Sequence, residues 1–323
     1  MQTHYRLTTE QNLSSEYHSV IQAFWQNAVE QNKFIGKDKI DIAYAFAVHP
    51  QPIGSIVISS GRIESLLKYK ELVYDLYQNG YSVFIHDHRG QGLSARMLEN
   101  SHMGYVQNFT DYVADFKTFI DVVVDNHSQH KPHLLCHSMG GAIGALLVLQ
   151  YPKLFIKVAF SAPMFGIRPT LPHWLTNLLF YLHASFNKQV AYFFGQKGYE
   201  NLAFAGSDLT HSEIRYDLFR QEYRDKPEVQ LGGVTADWLK AAIKAMDKLE
   251  QEMTEFPIPA LVVQAGSDRI VDNKRQRRVA EKMPNTQFMV IEGAKHELLA
   301  EIDRYRKPFL TAVLDFFSNG SHL

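Results

Sequence analysis

One stretch constrains this chain more than any other. An apolar run at residues 132–136 passes through His137-Ser138-Met139 into a helix of small and apolar residues at 140–149. A strand that passes directly into a helix needs a sharp turn, and the residue at its apex sits in a strained backbone conformation with its side chain projecting above the sheet. The two backbones then lie close together and tolerate only small neighbours. Gly140, Gly141, Ala142 and Gly144 supply them on the helix side. Cys136 stands where a Gly-x-Ser-x-Gly pattern has its first glycine, so the pattern is one residue short. A Ser-x-Gly match is weak by itself, and the rest of the chain has to decide its meaning.

The rest of the chain reads as alternating strands and helices. Ile40, Ile42, Tyr44, Phe46 and Val48 alternate as a strand does, and short apolar strands are predicted at 53–59, 81–86, 155–160, 260–264 and 287–291. Helices are predicted at 65–78, 273–282 and 302–317. The clearest one places Phe109, Tyr112, Val113, Phe116, Phe119, Ile120 and Val123 on one face. Apolar strands alternating with helices argue for a mostly parallel central sheet with helices on both faces. Between 163 and 256 the alternation gives way to a helical, strongly aromatic segment containing Trp174, Phe180, Tyr181, Phe186, Phe193 and Phe194. The expected organisation is an α/β core at 37–162 and 257–323 with an inserted helical cap at 163–256. A helical segment at 1–36 precedes it, docked through Val20, Ile21, Phe24, Trp25, Ala28 and Val29.

Composition narrows the function. The chain has 323 residues, 46% hydrophobic and 21% charged, with a formal net charge of −1, which gives no reason to expect nucleic acid as a partner. A single cysteine forbids an internal disulfide and suits a reducing cytoplasm. Residues 1–30 show neither a basic nor an apolar leader region, and no apolar run reaches the ~18 residues of a spanning helix. Any contact with a membrane is expected to be peripheral, at its inner face.

A serine hydroxyl needs a base, and the base needs an orienting carboxylate. Asp268 follows the strand at 260–264 and His296 follows the strand at 287–291. Both therefore fall at the C-terminal edge of a parallel sheet, beside Ser138. The alternative acid is Asp272, which reads better as the cap of the helix beginning at Asn273. Among 15 histidines, His322 lies in the tail, His211 in the cap, and His137 is expected to pack against neighbouring strands. His86 and His88 share a strand face, but no further ligands for a metal accompany them. Acyl transfer also needs donors for the oxyanion. The N–H of Met139 is one candidate, and the N–H of Arg62, after Gly61 in the loop following the strand at 53–59, is the other.

With Gly61-Arg62-Ile63-Glu64-Ser65, the Ser138 turn and Asp87-His88-Arg89-Gly90-Gln91-Gly92-Leu93-Ser94 assembled, the chain resembles the bacterial lysophospholipases of the monoacylglycerol-lipase-like serine hydrolases, from about residue 34 onward. The resemblance implies an α/β-hydrolase fold and a nucleophile at Ser138, an acid at Asp268 and a base at His296. It also implies oxyanion donors at Arg62 and Met139, and no metal or organic cofactor. Ser60 stands where such loops usually carry Pro or His. The 87–94 segment reads as scaffold, with Ser94 as a cap for the residues after it.

The implied substrate is a single-chain lipid, a lysophospholipid or a monoacylglycerol, with the aromatic cap as a lid over its acyl chain. Lys274, Arg275, Arg277 and Arg278, with Arg304, Arg306 and Lys307, would attract anionic headgroups of a membrane if the two runs shared a surface. A monoacylglycerol lipase or a short-chain carboxylesterase, and a non-catalytic lipid-binding homologue, are the rivals.

Overall fold

The computed structural model describes residues 5–319; His322 and the first four residues of the segment without a leader pattern lie outside them. Eight strands form one sheet: β1 (Glu30–Ile35), β2 (Asp41–Ala47), β3 (Gly54–Ser59), β4 (Tyr81–His86), β5 (His133–His137), β6 (Val158–Ser161), β7 (Ala260–Ala265) and β8 (Thr286–Ile291). Their order is β1-β2-β4-β3-β5-β6-β7-β8. β1 and β2 pair antiparallel, as do β2 and β4, and the remaining pairs are parallel. From β3 the chain steps outward to β4, then returns to place β5 on the other side of β3. The winding reverses between β3 and β5, and such a reversal opens a crevice at the C-terminal ends of the strands.

The helices are α1 (Glu10–Glu16), α2 (Gln22–Ala28), α3 (Lys70–Gln78), α4 (Thr110–Phe119), the single turn α5 (Asp125–His127), α6 (Met139–Gln150), α7 (His173–Phe186), α8 (Glu213–Asp225), α9 (Ala236–Glu252), α10 (Asn273–Ala280) and α11 (Asp303–Ser318). They cover both sheet faces. Val57, Leu134, Phe160 and Val262 meet α4, α6 and α9 in one core; Ile56, Ile58, Leu135 and Val263 meet α3 and α11 in the other. Central strands buried on both sides explain why they read as unbroken apolar runs.

Several expectations shift. The segment at 1–36 is not helical to its end, because Glu30–Ile35 is a strand with a single buried residue, Phe34, and such a polar edge strand carries no alternation to read. Its helical part is interrupted by a π-helical turn at Tyr17–Ile21; of the expected face Ile21, Trp25 and Val29 are buried and Ala28 is exposed, and Leu13 and Tyr17 extend the buried stripe. β6 begins only at Val158, with Phe155 buried in the preceding loop. Within 163–256, α9 packs on α6 through Ala242, Ala245 and Met246 as part of the sheet's covering layer. Ser94 caps no helix; its hydroxyl donates to the Asp87 carbonyl and accepts from the Ala43 N–H. The basic runs do not combine into one surface. Arg306 is buried against Asp75 and Glu71, and Arg275 and Arg278 are paired with Asp247 and Glu250 on α9.

The turn at Ser138 depends on two close approaches. A Cβ on Gly140 would collide with the carbonyl oxygens of Ser59 and Ser60, so the first turn of α6 lies directly against the end of β3. A Cβ on Gly144 would collide with Cys136 Sγ. Cys136 is therefore accommodated by the glycine one turn into the helix. Gly144→Ala should cost about 1–3 kcal/mol of stability by overpacking. Adding Cys136→Ala should recover most of that loss; urea unfolding of the four-member cycle measures it, and simple additivity would refute the coupling.

Candidate active site

Ser138 sits at the apex between β5 and α6 with φ 50° and ψ −117°. A non-glycine residue in that region is strained, and it persists only where its surroundings overdetermine it. Here the Ser138 N–H donates to the Ser161 carbonyl at 3.1 Å, while its own carbonyl accepts from Gly141 and Met164 at 2.9 and 2.8 Å.

Asp268 and His296 arrive from the loops after β7 and β8. Those loops are tied together: Gly266 N–H donates to the Ile291 carbonyl and Ser267 N–H to the Ala294 carbonyl. His296 Nδ1 faces Asp268 Oδ2 at 2.7 Å, and His296 Nε2 faces Ser138 Oγ at 2.9 Å. The remaining Asp268 oxygen accepts from the N–H groups of Ile270 and Val271. Burial by itself would raise the Asp268 carboxyl, but His296 and those two donors hold it below the ordinary carboxylate range. An ionised Asp268 puts the imidazole proton on Nδ1 and leaves Nε2 free to accept from the serine hydroxyl. The three expected side chains are thus brought together in hydrogen-bonding order. Asp272 is elsewhere, capping α10 through the N–H groups of Lys274 and Arg275.

The loop after β3 lies alongside. Gln91 Nε2 donates to the Gly61 carbonyl at 2.7 Å. In a trans peptide the N–H points away from the C=O, so this bond also aims the N–H of Arg62. Ile63 adopts φ 61°, a second strained residue in the same turn. Met139 opens α6, and its N–H is among the first four that lack an acceptor within the helix. His88 Nε2 lies 3.2 Å from the Ser60 carbonyl and 3.4 Å from Ser59 Oγ, anchoring the same loop. His211 is paired with Glu301 at 2.8 Å.

Sequence reasoning missed the layer behind these groups. Glu64 accepts from the Gly61 N–H, from Tyr69 Oη at 2.5 Å and from Lys68 Nζ at 2.7 Å. Lys68 also pairs with Glu297, the neighbour of His296, at 2.7 Å. One buried ammonium therefore links the Gly61–Arg62 turn to the His296 loop. Packing against strands accounts for only part of His137. It does touch Ser161, but its Nε2 also lies 3.7 Å from Glu64, and its ring lies 5.0 Å from that of His296. A cavity of about 40 Å³ lined by Glu64, Lys68, His137 and Glu297 adjoins them. The i,i+4 spacing of Glu64 and Lys68 was the legible signal. Among the described residues, no cluster of three or more His, Cys, Asp or Glu could hold a metal ion.

Two members of this layer, Glu64 and His137, are depressed. Burial raises the Glu64 carboxyl, but Lys68, then His137, outweigh it and bring it down to about 2. Burial drives His137 down to about 4. The stability that each contributes is complete above its ordinary value, 4.5 for Glu64 and 6.5 for His137, and is lost as pH falls toward the depressed one. Glu64→Gln should lower stability at pH 7 by about 3 kcal/mol. It should also flatten the loss between pH 4.5 and about 2, as read by urea midpoints against pH.

Residues 50–303 match the family described as serine aminopeptidase, S33. Lysophospholipase L2 of Escherichia coli is 36% identical over 305 residues, covering 91% of this chain and 89% of that protein. Probable lysophospholipase L2 of Haemophilus influenzae is 33% identical over 286 residues, covering 88% and 90%. A monoglyceride lipase from Saccharomyces cerevisiae, solved with a substrate analog, superposes with a TM-score of 0.68 at 17% identity, covering 90% of this chain and 96% of that one. The fold is that of an α/β-hydrolase, and the chain belongs to the serine aminopeptidase S33 family.

Proposed function

We propose that this chain is a serine carboxylester hydrolase that releases the fatty acid of lysophospholipids, with monoacylglycerols as secondary substrates. The observation that carries it is the hydrogen-bonded series Ser138–His296–Asp268, in a chain 36% identical to a lysophospholipase. His296 Nε2 takes the proton as Ser138 Oγ attacks the ester carbonyl. Asp268 keeps Nδ1 protonated and stabilises the imidazolium. The N–H groups of Met139 and Arg62 receive the oxyanion; each such donor is worth about 3 kcal/mol in the transition state. His296 returns its proton to the departing glycerol oxygen, leaving an acyl-enzyme. Water, or the hydroxyl of another lipid, then takes the acyl group.

The lid is taken as residues 163–235, since α9 belongs to the core layer. Its aromatic residues divide. Phe180 packs against Phe193, with ring centroids 5.3 Å apart, whereas Trp174, Leu178, Tyr181 and Phe186 are exposed. Trp174, Leu178 and Tyr181 fall at helical spacing on one face of α7, a helix without a charged side chain. Such a face suits the surface of a lipid aggregate, reached by apolar insertion and not by the paired arginines of α10. Among the described residues no helix is long and apolar enough to cross a membrane. The proposed setting is the cytoplasmic side of the cell membrane.

Ser138→Ala should lower lysophospholipid hydrolysis by about a million-fold with an unchanged unfolding transition, and should abolish labelling by a fluorophosphonate. Substantial residual turnover would remove Ser138 from the mechanism. Trp174→Glu should reduce co-sedimentation with lysophospholipid-containing vesicles several-fold while sparing hydrolysis of a soluble short-chain ester. Equal sedimentation would sink the surface-contact reading.

A further inference from the structure

Most buried guanidinium groups in this protein face carboxylates: Arg89 meets Asp115, Arg215 meets Glu71 and Asp303, and Arg306 meets Asp75. Two do not. Among the described residues, no carboxylate lies within ion-pairing distance of Arg62 or Arg220, and both stand at the seam between the Gly61–Arg62 turn and the lid. Arg62 donates to the Gly232 carbonyl at 3.0 Å and lies over the Trp238 ring at 5.4 Å. Burial without an anion lowers its guanidinium to about 10, still protonated at neutral pH.

Arg220, on α8, is only 7% exposed. It is surrounded by the rings of Tyr199, Tyr216 and Phe219 at 5.8, 5.0 and 4.9 Å. Its hydrogen bonds to Tyr199 Oη and the Glu200 carbonyl are long, 3.4 and 3.5 Å, and its Nε has no partner at all. A buried donor left unpaired is costly unless a ligand completes it.

The two groups share a neighbourhood. Gly232, which accepts from Arg62, abuts the backbone of Tyr199, whose ring and hydroxyl face Arg220. One turn beyond Arg220, Tyr223 Oη donates to the Ile63 carbonyl at 2.6 Å, fastening α8 to the residue after Arg62.

We propose that Arg62 and Arg220 form a subsite for the phosphodiester of a lysophospholipid headgroup. The proposal rests on the lysophospholipid reading above and names how that substrate is told from a neutral one. A phosphodiester brings one negative charge and acceptor oxygens that suit guanidinium donors. The ester carbonyl and the phosphate are attached to one glycerol, a few bonds apart. Arg62 likewise carries its main-chain N–H and its guanidinium a few bonds apart, so one residue spans the reacting centre and the headgroup. A monoacylglycerol leaves both cations uncompensated, and a site that loses its intended polar partner discriminates strongly against the analogue lacking it.

The test compares lysophosphatidylcholine with a monoacylglycerol of the same acyl chain, each below its aggregation concentration, in wild type, Arg220→Gln, Arg220→Lys and Arg62→Gln. The ratio of the two kcat/KM values should fall about tenfold in each Gln variant and be partly restored by Lys at 220. An unchanged ratio, including a parallel loss on both substrates, overturns the proposal while leaving the lysophospholipase reading intact. A wild type that cleaves monoacylglycerol but no lysophospholipid overturns both. Should a variant fail to fold, the wild type still decides. sn-Glycero-3-phosphocholine should inhibit monoacylglycerol hydrolysis competitively and more strongly than glycerol, and equal inhibition by the two overturns the subsite.

Discussion

The contact between the end of β3 and the first turn of α6 carries the rest of the site. Gly140 has no room for a Cβ because the Ser59 and Ser60 carbonyls occupy that space. The same contact lets Ser138 hold φ 50° and ψ −117°, a strain of order ~1–3 kcal/mol that its three backbone hydrogen bonds oppose. It also places the Gly61–Arg62 turn beside the opening N–H groups of α6. The apical hydroxyl and both proposed oxyanion donors thus follow from one packing constraint, set where the sheet's winding reverses between β3 and β5.

Charge burial behind that contact has a positional logic. Removing Glu64, Lys68 and Glu297 from water is expensive, and a buried ion pair is weak evidence for stability. Their effect is to fix distances. Glu64 holds the turn that carries Arg62 through the Gly61 N–H, Glu297 adjoins His296, and Lys68 joins the two carboxylates. His137 lies between Glu64 and the His296 ring, kept neutral near pH 7 by burial. A second protonated imidazole there would oppose the imidazolium that the proposed ester attack forms on His296. Its depressed value is therefore useful to the chemistry as well as a consequence of burial.

The core was legible because its physics is local and periodic. Central strands buried on both faces show as apolar runs; Ser138 and Asp268 each follow one and His296 follows the partly buried edge strand β8, so chain order alone indicated that they would meet. Asp272 was separable from Asp268 because a carboxylate two residues ahead of Lys274 reads as a helix cap, which it is. What escaped depends on partners distant in sequence. β1 is an edge strand whose polar residues show no alternation, and only pairing with β2 defines it. Lys68 reads as a surface residue on an amphipathic segment until Glu297, over 200 residues later, packs against it. The arginines of the C-terminal third suggested a basic surface because Asp75, Asp247 and Glu250, which neutralise several of them, lie on other helices.

In the proposed function, chemistry and selection occupy different parts of this molecule. The reacting groups stand on loops anchored to a sheet whose central strands are wholly buried, where misplacement is resisted on every side. The lid is built otherwise: α7 leaves Trp174, Tyr181 and Phe186 in solvent, and Arg220 on α8 keeps an unsatisfied Nε among aromatic rings. Those features would be faults in a segment whose only task was to pack. They are consistent in a segment that meets two halves of an amphiphile, with an apolar face toward acyl chains and unpaired cations toward a phosphate. On the proposed reading, the core supplies ester cleavage at Ser138 and the lid selects the lipids that reach it.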